Sequence, residues 1–164
     1  MNRKIIHKRR DMKLIILAFF ISLNMIGAGH YFISNPGSNQ AGYSLTVQAK
    51  GLRNSAGIVR FALYNKDGTI PDEHFRDYFK LGSTTIMDHR AEFTFTGLPE
   101  GNYAVSVLHD ENENWKIDKK FMKPKEGIGF SNIKSIGLSN RPNFKKASFS
   151  LSGDMRIAIK MIYM

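Results

Sequence analysis

The sequence contains no cysteine in its 164 residues. That excludes disulfides, thiolate metal sites and the lipidated cysteine of a bacterial lipoprotein. It also lacks an apolar stretch of the ~20 residues that a bilayer span wants. The longest candidate, Leu14–Ala28, is shorter and is interrupted by Ser22 and Asn24. Neither a G-x-S-x-G elbow nor a His-Glu-x-x-His pair occurs, and His7, His30, His74, His89 and His109 are too scattered for a short-spaced zinc set. Acidic residues are in the minority, 14 against 24 basic ones, for a formal net charge of +10.

That charge is uneven. Arg3, Lys4, Lys8, Arg9, Arg10 and Lys13 against Asp11 give the first 13 residues +5 of the total. A basic segment, then the apolar run, then Gly27, Ala28 and Gly29 is the three-part order of a secretory signal. Residues 1–29 are therefore expected to be a signal peptide, or an amino-terminal anchor if uncleaved. The mature protein would be exported: periplasmic, on the outer surface or secreted. Membrane contact is expected only through this segment. With it set aside, the basic excess is about halved and no nucleic-acid partner is expected. The run Lys119, Lys120, Lys123 and Lys125 reads as a solvated loop face beside an acidic cluster.

Residues 30–42 are polar and turn-rich and read as a linker. From residue 43 the hydrophobic period is 2. Leu45, Val47 and Ala49 alternate with polar neighbours, as do Val59, Phe61 and Leu63, Phe93 and Phe95, and Tyr103, Val105 and Val107. Ala147, Phe149 and Leu151 follow, then Met155 to Tyr163; Thr84–Met87 is a weaker seventh candidate. Each predicts a strand with one face in a core. The expected fold is one all-β domain over 43–164, an immunoglobulin-like or prealbumin-like antiparallel β-sandwich of about seven strands. Gly97–Val107 resembles the hairpin of prealbumin-like and collagen-adhesin B-type modules, which implies the same architecture. Phe75 and Phe79, at i and i+4, predict a short helical turn within 71–82.

Residues 110–144 have no period yet are rich in apolar side chains, including Trp115, Ile117, Phe121, Ile128 and Phe130. Loops this long are uncommon in compact domains unless they are functional or disordered, and this composition predicts an ordered loop. It begins with Asp110, Asn112, Asn114, Lys116 (by its carbonyl) and Asp118 at positions 1, 3, 5, 7 and 9, the oxygen-ligand spacing of a Ca2+ loop. Position 6 is Trp115 in place of Gly and position 12 is Phe121 in place of Glu, so this is not an EF-hand. The competing reading is a polar turn closed by Asx hydrogen bonds. Gly127 and Gly129 are expected to permit a sharp turn that buries Phe130.

The stretches YAVSVLHDENENWKIDKKF, PKEGIGFSN and RPNFKKASFSL together resemble the bacterial family "domain of unknown function 2141", over about residues 43–163. The resemblance implies a small exported protein and brings no established activity. Glu113 and Trp115 stand where the family usually has Gly, so the loop must avoid left-handed backbone here or accept its strain. The expected function is a non-enzymatic binding or structural module that takes an unknown protein or small ligand at its 110–132 loop. The alternative is a hydrolase-like enzyme using His109, Asp110 and Glu126.

Overall fold

A computed structural model describes residues 42–121, 123–137 and 139–164. The expected signal or anchor, and all of the expected linker except Gly42, lie outside these residues. The described residues form one compact unit. The described residues build β1 (Tyr43–Lys50), β2 (Ile58–Tyr64), β3 (Lys80–Thr84), β4 (Arg90–Leu98) and β5 (Gly101–Asp110). There follow β6 (Lys119–Lys120), β7 (Lys123–Pro124), β8 (Gly127–Phe130), the one-turn helix α1 (Phe144–Ala147), β9 (Phe149–Leu151) and β10 (Met155–Lys160).

The all-β expectation holds. One large sheet runs β10-β1-β4 and a second β3-β2-β5-β8, with β9 on the start of β5, while β6 and β7 pair as a small two-stranded sheet. Pairing is antiparallel except between β1 and β10, which run parallel with Leu45 opposite Met155 and Ala49 opposite Ile159. Leu45 and Val47 of β1, Phe95 of β4, Phe61 and Leu63 of β2 and Val105 and Val107 of β5 share one core between the sheets. The other face of β1 is polar as expected: Thr46 hydrogen-bonds Thr94 at 2.9 Å.

The strands β2 and β5 depart from the expected one-sided burial. Arg60, Ala62 and Tyr64, and Ala104, Ser106 and Leu108, are buried as well. A second apolar cluster covers that face, joining Ala62, Tyr64, Ala104 and Leu108 to Ile128, Phe130, Ile133, Phe144 and Ala147. The long segment after β5 is therefore a covering layer. It contains a strand the periodicity did not reveal: β8 pairs with β5, placing Phe130 opposite Ser106 and Gly127 opposite His109. Gly127 and Gly129 thus lie in a strand, not in a sharp turn, although Phe130 is buried. They are small because the segment after β10 crosses β8 there, with Ile162 bridging to Ile128. A Cβ on Gly127 would stand 2.5 Å from the Tyr163 ring.

Three local expectations also change. No helical turn forms within 71–82: Phe75 takes a φ of 51°, and the Asp72 carboxylate accepts the N–H groups of Arg76 and Asp77 at 2.8 and 2.9 Å. A side chain that satisfies those amides competes with the helical ladder. The third strand is Lys80–Thr84 instead of Thr84–Met87. The strand expected from Ala147 starts at Phe149, because Ala147 ends α1, which Asn143 caps by accepting from the Lys146 N–H at 2.9 Å.

Candidate functional site

The site lies where β5 leaves the sheet. Alternation along β5 turns Val107 and His109 to the inter-sheet side and Leu108 and Asp110 to the covered side. Across the ladder, β2 places Arg60 opposite Leu108, next to Asp110. Both charged side chains are almost fully buried, and Arg60 Nε donates to Asp110 Oδ2 at 2.6 Å. The remaining capacity of Asp110 goes to the loop it begins: Oδ1 accepts from the Asn114 N–H at 3.0 Å and Oδ2 from the Trp115 N–H at 3.1 Å.

The rest of the turn is a set of Asx bonds. The Asn112 side-chain oxygen accepts from the Asn114 N–H at 3.3 Å, and that of Asn114 from the Lys116 N–H at 3.1 Å. Both amide groups donate to Asp118, at 2.8 and 3.0 Å. These bonds hold the Asp118 carboxyl below its ordinary pKa. Buried Glu126 closes the loop from the far side, accepting from the Glu111 N–H at 3.0 Å and the Asp118 N–H at 3.2 Å. Burial is the main reason its pKa is raised, with the two amide bonds opposing.

Glu113 and Trp115 do take left-handed backbone, with φ of 58° and 64°. Trp115 gains a compensating contact there: the Arg60 guanidinium carbon lies 3.4 Å from its ring centroid, a stacking geometry that favours a cation over an aromatic face. Arg60 Nη1, sealed beneath, has no hydrogen-bond partner.

His109 belongs to a different cluster. Its ring is fully buried. Nε2 is 2.9 Å from the Ala56 carbonyl, which only accepts, so the neutral ring carries its proton on Nε2. Nδ1 then accepts from the Tyr163 hydroxyl at 2.7 Å, and that hydroxyl accepts from the Arg53 N–H at 3.1 Å. Arg53 reaches on to Glu111 with two bonds of 2.6 Å, which hold the Glu111 carboxyl below its usual range. Gly57 makes room for this junction: at φ 65°, a Cβ would be 2.0 Å from the Asp110 carbonyl.

The family model described as "uncharacterized protein conserved in bacteria (DUF2141)" matches residues 47–158. The chain belongs to this family. No curated protein and no solved structure matches it. The match takes in the second half of β1, all of β2 to β9, most of β10, and the whole Asp110–Glu126 loop that defines the site.

The five candidate calcium ligands therefore share one turn, but Asp110 is at its buried root, in contact with a guanidinium, while Lys116 is exposed. Among the described residues no group of three His, Cys, Asp or Glu is gathered as a metal site. The candidate catalytic residues separate: Asp110 and Glu126 face the loop, and His109 faces Ala56 and Tyr163. Sequence reasoning missed Arg60, Arg53, Glu111 and Tyr163. A signal for Arg60 was present: its face of β2 also carries Ala62 and Tyr64, and the matching face of β5 carries Ala104 and Leu108, too apolar a surface for open solvent.

Proposed function

We propose that the protein is a non-enzymatic extracytoplasmic binding module, and that its 110–132 loop is a rigid presenting surface ordered by an internal cation, Arg60. The buried Arg60–Asp110 pair carries this reading. A loop whose backbone N–H groups end on Asp110, Asn112, Asn114 and Glu126 needs a positive charge at its root, and the guanidinium supplies one. The side-chain oxygens of Asp110, Asn112, Asn114 and Asp118 are engaged by internal donors, and a calcium ion on Asp110 would meet Arg60 at close range. The three residues of the hydrolase reading are buried and hydrogen-bonded to separate partners, which weighs against that reading. What the loop offers to a partner is its outer surface, where Trp115 is 57% and Phe121 89% exposed.

Hydrogen exchange on the full chain tests this. The Glu111, Asn114, Trp115 and Asp118 amides should be protected without calcium and unchanged at millimolar calcium, and Arg60→Met should release them. Protection that appears only with calcium would replace Arg60 with the metal as the organiser.

A further inference from the structure

The geometry points to an anionic lipid surface as the partner of the β6–β7 hairpin. This rests on the presenting-loop reading above and names its partner. Lys119 pairs with Pro124 and Lys120 with Lys123, so the turn between the inner pair has room for two residues, one of them Phe121. Two-residue hairpin turns favour Asn and Gly, because they need left-handed backbone. Phe121 adopts that backbone, with φ 50°, and is nevertheless left 89% exposed. A large apolar side chain in a strained turn that gains no burial breaks the local rules of folding, and such violations concentrate at functional positions.

The surroundings specify the chemistry. Residues 116–125 carry Lys116, Lys119, Lys120, Lys123 and Lys125 against Asp118 alone. All five lysines are exposed; Lys119 meets Glu73, and Lys120 and Lys123 form the pair that directly flanks the tip. An apolar tip flanked by exposed lysines matches the boundary of an anionic bilayer: the Phe121 ring enters the acyl region, and the ammonium groups reach the phosphates on flexible stems. A soluble polyanion would use the lysines and leave Phe121 without a role. Glu126 and the Asp118 carbonyl, which accepts from the Lys125 N–H at 2.8 Å, fix the base of the hairpin to the loop, so the tip is presented and not merely tethered.

The chain has one tryptophan, so a tip reporter is direct: the full chain with Phe121→Trp and Trp115→Phe, mixed with phosphatidylglycerol-containing vesicles. The reading is the environment of the tip, so capture by the amino-terminal segment does not count. Expected are a blue-shifted emission and quenching by brominated acyl chains. Both should be absent with phosphatidylcholine vesicles and in a control with Met87→Trp and Trp115→Phe, which reports from an exposed turn before β4. Lys120→Ala, Lys123→Ala and Lys125→Ala together should weaken tip insertion by roughly a hundredfold, and 1 M salt should abolish it. A tip that remains in water on anionic vesicles overturns the proposal. So does lysine-dependent binding of dextran sulfate with no lipid response. In either case protected loop amides without calcium would leave the presenting-loop reading intact, whereas their loss would remove both.

Discussion

On one face of β2, Val59, Phe61 and Leu63 meet the apolar side chains of the opposite sheet; on the other, Arg60 meets Asp110, while Ala62 and Tyr64 meet the covering segment. The same residues of backbone thus serve two interiors built differently. Between the sheets, regular strands bring their own hydrogen bonds, and apolar contact is sufficient. Under the covering segment, much of the chain has no ladder, and its backbone N–H groups must find acceptors elsewhere. Buried carboxylates supply them: Asp110 accepts from the Asn114 and Trp115 N–H groups and Glu126 from those of Glu111 and Asp118. Charge inside this fold is the means by which an irregular segment is made as definite as a strand.

The largest expected effect sets the two interiors against each other. Phe61→Ala should cost about 3–5 kcal/mol through lost burial and the cavity left behind. Asp110→Ala should cost a similar amount, about 3–5 kcal/mol, by stranding Arg60. Urea unfolding measures both. Pairing Arg60→Met with Asp110→Asn should recover more than half of the Asp110→Ala loss, because the amide oxygen still accepts from the loop and neither member of the pair is left as an unpaired buried charge. A cost for Asp110→Ala below about 1 kcal/mol would make the charged interior incidental.

Glu126→Ala comes next, at about 1–3 kcal/mol, since two amides lose their acceptor. Glu126→Gln should cost less, keeping one acceptor oxygen and removing the buried charge. Exchange of the Glu111 and Asp118 amides distinguishes local opening from global loss.

The smallest effect is the most specific. Arg53 lowers the pKa of Glu111, so the stability from that pair is complete above the ordinary Glu range and is lost as pH falls through the lowered value. Glu126 has the opposite sign: its raised pKa means the ionised form is penalised at neutral pH, and stability rises as pH falls through that value. Stability should therefore rise or hold level on mild acidification and decline only below the ordinary Glu range. Glu111→Gln should remove part of the decline at a neutral-pH cost under about 1 kcal/mol, because Arg53 is partly exposed. Melting temperatures across pH 3 to 7, compared with and without Glu111→Gln, check the sign.

The inter-sheet interior was legible in the sequence because a period of 2 records a buried face directly: Leu45, Val47, Phe61, Val105 and Val107 all lie where alternation puts them. The covered interior was not. Alternation treats Arg60, Ala62 and Ser106 as outward, and only the apolar character of Ala62, Tyr64, Ala104 and Leu108 on that face signals a cover, without saying which segment supplies it. The four residues of β8 are too few to establish a period, and two of them are glycines chosen for the close approach of the chain after β10. The Asp110–Asp118 spacing was legible as an oxygen-rich turn. Its partner, Arg60, stands 50 positions earlier, and no spacing rule connects them.

The parallel pairing of β1 with β10 has a kinetic consequence. It joins Leu45 to Met155, so the sheet β10-β1-β4 cannot close until nearly the whole domain is available. Contacts of such separation slow folding, since loop-closure entropy is lost before they form. Until β10 arrives, one edge of β1 is an unpaired row of N–H and C=O groups with Leu45, Val47 and Ala49 on one side. That edge would accept the same strand from a neighbouring copy, so crowding during folding should favour exchange of β10 between chains over misfolding of the loop.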